Sequence, residues 1–241
     1  MKEQDHYYSY LETDLSVIRQ NYLNLQKACP QKIIPVAKGN AWGLGTIGVV
    51  SMLFDSLGLD TVAVAQVGEA VKIREAGYID QTIMILSGVP FHAIPYVVKH
   101  RLLMMVYNKE TVRLLSEEVR NAGLSSFPVQ IKVDTGFHRI GVAMEELGGL
   151  VDEVLAAGNL EIEGLCSHYA DAYTAGSEKT PEQYALFKKV VTWLHREGFI
   201  EAEEKARVMD ISLAFLLSML LRQCVRTLLI KRYNVAAASA R

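Results

Sequence analysis

A chain of 241 residues, half of them hydrophobic and 22% charged, has the length of one large domain or two small ones and the composition of an ordinary soluble globular protein. Its formal net charge of −2 gives no electrostatic reason to expect nucleic acid or an anionic membrane as the main partner. Cys29, Cys166 and Cys224 are far apart and form no C-x-x-C pair, so plain thiols are expected rather than a disulfide framework or a metal site. The polar opening, Met1 to Tyr10, lacks the apolar run of a signal peptide. Ile211 to Leu221 is apolar but shorter than the ~20 residues a spanning helix needs. A cytoplasmic protein with no membrane partner is the expectation.

Short runs rich in Val, Ile and Leu alternate along the chain with amphipathic segments. The run Ile33–Lys38 comes first, then Thr61–Ala65, followed by a helical pattern over Val67–Ala76. Thr82–Leu86 and Leu102–Val106 lead to a helix over Lys109–Ala122, with Val112, Leu115 and Val119 at helical spacing. Pro128–Val133 precedes a helix over Met144–Ala157, and Leu160–Cys166 precedes one over Thr180–Glu197, with Thr180 as N-cap, Pro181 at N1 and an acid, Glu182, in the first turn. Gly77, Gly123, Gly158 and Gly198 stand where left-handed helix stops are needed. Ala206–Ile211 and Cys224–Ile230 are the last and least regular runs. Strands buried on both faces read as such runs, and alternation with helices implies a parallel sheet. Eight of them in a chain near 250 residues point to an α/β fold, a closed (β/α)8 TIM-type barrel over residues 1–232, with a frayed Ala- and Ser-rich tail at 233–241.

Lys38 ends the first run, and function in parallel α/β folds sits at the C-terminal ends of strands. A lysine there can bind an anion, form a Schiff base, or simply snorkel to water. Gly43, Gly45 and Gly48 also match the dinucleotide fingerprint, but the match does not turn directly off the strand, and the second run ends at Ala65-Gln66 where an acid is needed. The whole run Pro35-Val36-Ala37-Lys38-Gly39-Asn40-Ala41-Trp42-Gly43-Leu44-Gly45 closely resembles the cofactor-lysine motif of the alanine racemase family, with Trp42 where tyrosine is usual and Leu44 where the family has histidine.

Two further motifs agree. Ile131-Lys132-Val133-Asp134-Thr135-Gly136-Phe137-His138-Arg139-Ile140-Gly141 ends the fifth run. By itself it reads as an oriented cation or as a turn capped by Asp134 and Thr135. It is also similar to the family's second signature, which implies that Arg139 lies near the cofactor's phenolic oxygen and the substrate carboxylate. Gly164-Leu165-Cys166-Ser167-His168-Tyr169-Ala170-Asp171 ends the sixth run. His168 there is by default a satisfied core histidine, and the resemblance implies packing against a pyridine ring. Asp171 reads as a cap for the following loop.

The resemblance implies pyridoxal 5'-phosphate as cofactor, with Lys38, Arg139 and His168 in catalytic positions and Lys38, Trp42, Arg139, His168, Ser212 and Arg226 around the cofactor. Ser212 would hold the phosphate, beside Ile211 where the family has asparagine. Arg226 would face the pyridine nitrogen, with Leu228 where the family has a glycine. The implied reaction is racemisation of a small amino acid, L-alanine to D-alanine, for D-alanine biosynthesis and the cell wall, by a homodimer without a metal. Full-length members continue into a second, mostly β domain that donates a catalytic tyrosine across the dimer. This sequence ends at Arg241, so impaired turnover is expected. The alternative is a barrel-only homeostasis protein that binds pyridoxal phosphate without turnover.

Overall fold

The computed structural model describes residues 11–29, 31–172, 174, 176–199 and 209–210. Its strands are β1 (Thr61–Val64), β2 (Thr82–Ile85), β3 (Leu103–Val106), β4 (Phe127–Lys132), β5 (Leu160–Ser167) and β6 (Met209–Asp210). Each is parallel to the next, in chain order. The helices are α1 (Leu15–Ala28), α2 (Lys38–Trp42), α3 (Thr46–Ser51, continuing as a π turn at Met52–Ser56), α4 (Val67–Glu75), α5 (Ile94–Lys99), α6 (Lys109–Asn121), α7 (Leu147–Ala157) and α8 (Lys179–Arg196).

The first expected strand, Ile33–Lys38, is reduced to a parallel bridge between Val36 and Ala63 on the open side of β1. Ala63 donates to the carbonyl of Pro35, and Ala37 donates to the carbonyl of Ala63. Pro35 has no amide to extend the ladder, and Lys38 has left the strand for α2. This bridge and β1 to β6 make seven successive parallel segments, the order of a (β/α)8 barrel. The eighth expected strand, Cys224–Ile230, the apolar stretch Ile211–Leu221 and the tail 233–241 lie outside the described residues, and of Ala206–Ile211 only 209–210 are described.

Strand alternation sorts the core into two layers. Val62, Val64, Ile83, Ile85, Met104, Val106, Val129, Ile131 and Leu165 pack outward with the helices, against α4 to α8 residues such as Ile73, Val97, Leu115, Val151 and Leu194. Val36, Ala63, Met84, Leu103, Met105 and Cys166 form a separate inner cluster. Full burial of one such aliphatic side chain is worth about 1.5–3 kcal/mol. By the same parity Gln130 and Lys132 face the interior, paired in register with Gly164 and Cys166. Gln130 has no exposure, and among the described residues neither end of its amide has a partner. A Cβ at Gly164 would lie 2.8 Å from Gln130 Oε1, so a side chain there would push the Gln130 amide aside.

The expected helices begin and end close to the sequence reading, with two differences. α7 starts at Leu147 rather than Met144. α8 starts at Lys179 with Glu178 as N-cap, so Thr180 is inside the first turn and its buried Oγ1 has no partner among the described residues. Pro181 fits this frame because the first turn needs no amide there. α1, capped by Asp14 and burying only Ile18 and Tyr22, was not expected, nor was α5. Gly77, Gly123, Gly158 and Gly198 all carry positive φ, from 70 to 99°, as expected of stops. Among the described residues no helix is long and apolar enough to cross a membrane, and no cluster could hold a metal ion.

Candidate functional site

Lys38 opens α2, and α2 is a left-handed turn. Gly39, Asn40, Ala41 and Trp42 have φ of 62, 54, 51 and 59°. Each non-glycine residue in that region costs roughly 1–2 kcal/mol, so the turn needs partners. Ala41 donates to the carbonyl of Ala37, and Gly43 to the carbonyls of Gly39 and Asn40. The Asn40 side-chain oxygen accepts the Thr46 amide at 3.0 Å, fastening the turn to the start of α3. Glu69 on α4 accepts the Gly39 amide. The turn closes on itself, so Lys38 Nζ lies 5.1 Å from the centroid of the Trp42 ring, a cation–π contact.

The loop after β4 carries Arg139. Asp134 Oδ1 accepts the amides of Gly136, Phe137 and His138 at 2.9 to 3.0 Å, which is the capped turn the sequence allowed. Thr135 does not cap it. Its hydroxyl is buried and shares a 2.6 Å hydrogen bond with Ser167 at the end of β5. The loop returns to the sheet through a bridge between Val133 and Val142. Phe137 stands edge-on to His168, centroids 4.6 Å apart at 88°, and the Arg139 guanidinium lies 4.4 Å from the Phe137 ring. Arg139, Phe137 and His168 thus form one stack. Asp171 caps its own loop, accepting from Thr174 Oγ1.

Electrostatics tie these groups together. His168 is pushed down to about 4, first by burial and then by the positive charges of Lys132, Arg139 and Lys38. Lys132 is only 4% exposed, and burial is the main cause of its lowered pKa. Burial raises the Asp134 carboxyl, but the Gly136 and His138 amides, the His138 charge and the Phe137 amide outweigh it and hold the group low. The interior end of the sheet therefore gathers Lys38, Lys132 and Arg139 around a neutral imidazole. Such a place favours an anionic group.

The sequence reading named Lys38, Trp42, Arg139 and His168, and the structure brings them to this end of the sheet. Ser212 and Arg226 lie outside the described residues. It did not single out Lys132, Glu69, Asn40, Phe137 or Gln183. Gln183, on α8 and 4% exposed, donates to Thr135 Oγ1 and to the His168 carbonyl and accepts the Ala170 amide, so one buried amide joins the two loops. Lys132 could have been found from its parity with Gln130 in an alternating run.

Residues 13–227 match the family described as alanine racemase, N-terminal domain. An alanine racemase of Staphylococcus saprophyticus is 30% identical over 206 residues, covering 84% of this chain and 53% of that protein. The solved alanine racemase of Bartonella henselae with covalently bound pyridoxal phosphate aligns at a TM-score of 0.66 and 27% identity, over 74% of this chain and 52% of that one. A histidine racemase of Leuconostoc mesenteroides aligns at 0.66 and 26%, over 72% and 46%. The chain spans about half the length of the curated relatives it matches. With a family match over most of its length and the inner strand ends laid out as described, this chain belongs to the alanine racemase N-terminal domain family.

Proposed function

We propose that this chain holds pyridoxal 5'-phosphate through the Lys38 amine and that the site serves racemisation of a small amino acid, alanine before others. The observation that carries the reading is the convergence of Lys38, Lys132 and Arg139 on the partly buried, neutral His168, with Arg139 stacked on it through Phe137. A primary amine at the rim of a basic, partly dry site fits a phosphorylated aldehyde. Asp134, the acid beside it, is occupied by three backbone amides. Bound pyridoxal phosphate supplies a ring that accepts the charge left when a Cα proton departs. Lys38 binds it and, once free, holds or moves a proton at Nζ on one face of the substrate. Arg139, always charged, steadies an anionic oxygen. His168 offers a flat uncharged ring and adds no positive charge at neutral pH. Ser212 and Arg226 belong to the same proposed set, as phosphate and ring-nitrogen contacts, and so do assembly as a homodimer and a role in D-alanine supply.

Alanine is placed first because most named relatives are alanine racemases, while the histidine racemase neighbour argues that the barrel alone does not set the side chain. The test is an absorbance titration with pyridoxal phosphate, borohydride reduction and peptide mapping, with Lys38→Ala beside it. A visible band that reduction fixes on Lys38, absent from the variant, is expected, followed by deuterium exchange at alanine Cα. No band would end the reading. A band without exchange would favour a binding protein without turnover.

A further inference from the structure

Glu69 occupies the third position of α4, three residues after the N-cap Gln66. A glutamate there ordinarily reaches back to its own N-cap amide. Here one oxygen, Oε2, does this and also takes the Ala65 amide, at 3.0 and 2.9 Å. The other oxygen, Oε1, crosses 30 residues of sequence to accept the Gly39 amide at 2.5 Å. A single carboxylate therefore joins the end of β1, the start of α4 and the first left-handed residue after Lys38. No other acceptor meets the Gly39 amide among the described residues.

We propose that Glu69 is a positioning residue for Lys38. It fixes the plane of the Lys38–Gly39 peptide and so the direction in which the Lys38 side chain leaves the backbone. The inference rests on the reading of Lys38 as the cofactor anchor. The physical case is one of strain and restraint. Four consecutive residues in the left-handed region relax readily if the first peptide can rotate. Rotation of that peptide strips the Gly39 amide from the carboxylate. A charge-assisted hydrogen bond, about twice as strong as a neutral one, opposes it. Asn40 holds the far end of the turn through Thr46, and Glu69 holds the near end.

The experiment compares the full chain with Glu69→Ala, Glu69→Gln and Gln66→Ala. Gln66→Ala alters the N-cap residue of α4 but leaves the Gln66 amide and the carboxylate on Gly39 in place, so it reports loosening of the helix start alone. Glu69→Gln keeps a single acceptor and is the variant safest to fold. Amide exchange at Gly39, read by NMR without cofactor, should rise at least ten-fold in Glu69→Ala, by less in Glu69→Gln and not at all in Gln66→Ala. The dissociation constant for pyridoxal phosphate, read from the visible band, should rise in the same order. Native Gly39 exchange in Glu69→Ala, or an equal rise in Gln66→Ala, would overturn the proposal, as would unchanged cofactor affinity despite faster exchange. If the native chain takes up no pyridoxal phosphate, the functional reading fails. The pH profile of Lys38 acylation in the cofactor-free chain then decides on Glu69: displacement of that profile in Glu69→Ala upholds its role, and a native profile refutes it.

Discussion

Gly141→Ala tests how tightly the Arg139 loop is closed. Gly141 has a φ of 152°, which side chains rarely adopt, and strain of this kind costs about 1–3 kcal/mol. A Cβ there would lie 2.5 Å from the Asp134 nitrogen and 2.9 Å from both Asp134 Cα and the Val133 carbonyl carbon. All three are backbone atoms, so no side chain can swing aside. Relief requires the loop to part from the sheet, breaking the bonds from Val142 to the Lys132 carbonyl, 2.8 Å, and from Asp134 to the Val142 carbonyl, 3.0 Å. At about 1 kcal/mol each these bring the expected loss to roughly 3–5 kcal/mol. That is a large part of a typical domain's stability of about 5–15 kcal/mol. The assay is urea unfolding followed by tryptophan fluorescence. Gly39→Ala is the matched control: its φ is also positive, but nothing lies within 4 Å of the added carbon. It should lose only about 1 kcal/mol, the left-handed penalty less the gain from a stiffer unfolded chain. A Gly141→Ala protein within about 1 kcal/mol of native, or no worse than Gly39→Ala, would refute the close approach.

His168 makes stability depend on acid. Its folded pKa of about 4 lies below the ordinary 6.5, so the contribution is complete above pH 6.5 and is lost as pH falls towards 4. In a dry site that drop would be worth ~3 kcal/mol. The ring is partly exposed, and screening leaves about 1–2 kcal/mol. Between pH 7 and pH 4 the native chain should lose that much more than His168→Gln, and equal losses would place the imidazole in water. Cys166, fully buried and raised to about 11, should resist iodoacetamide in the folded chain while the half-exposed Cys29 reacts, as peptide mapping would show. Gln183→Leu strands the Ala170 amide and removes both donated bonds, so a loss of about 2–4 kcal/mol in urea unfolding is expected.

The sequence named the candidate site residues but not what holds them. A charged or basic residue at or just after the end of an apolar run draws the eye to Lys38, Arg139 and His168, but each has an ordinary structural reading, and only the family motifs around them turn it into a site. Glu69, Gln183 and Asn40 are ordinary polar residues, and each gains its role from a partner on another element. The left-handed turn is hidden for the same reason. Asn40, Ala41 and Trp42 have no local preference strong enough to foretell it, and the bonds that stabilise it come from Thr46 and Glu69. Helix ends fared better where the cause is local. The four glycine stops follow from conformational freedom alone, whereas the start of α8 did not follow from Thr180-Pro181, since proline is tolerated anywhere in the first turn.

The fifth run shows how the same pattern changes meaning with fold. Val129-Gln130-Ile131-Lys132-Val133 alternates apolar and polar, the signature of a strand with one face in water. Such a strand would place Gln130 and Lys132 in solvent. In a barrel surrounded by helices the outer face must be the apolar one, so the polar face can only point inward. Val129, Ile131 and Val133 indeed pack in the helix-facing layer, while Gln130 and Lys132 are 0 and 4% exposed. Once seven parallel segments alternate with helices, an alternating strand among uniformly apolar ones therefore marks polar groups inside the barrel. Placing a lysine there carries a desolvation cost, evident in its lowered pKa, that packing alone gives no reason to bear. Its charge, with those of Arg139 and Lys38, bears on His168 and helps to keep that imidazole neutral.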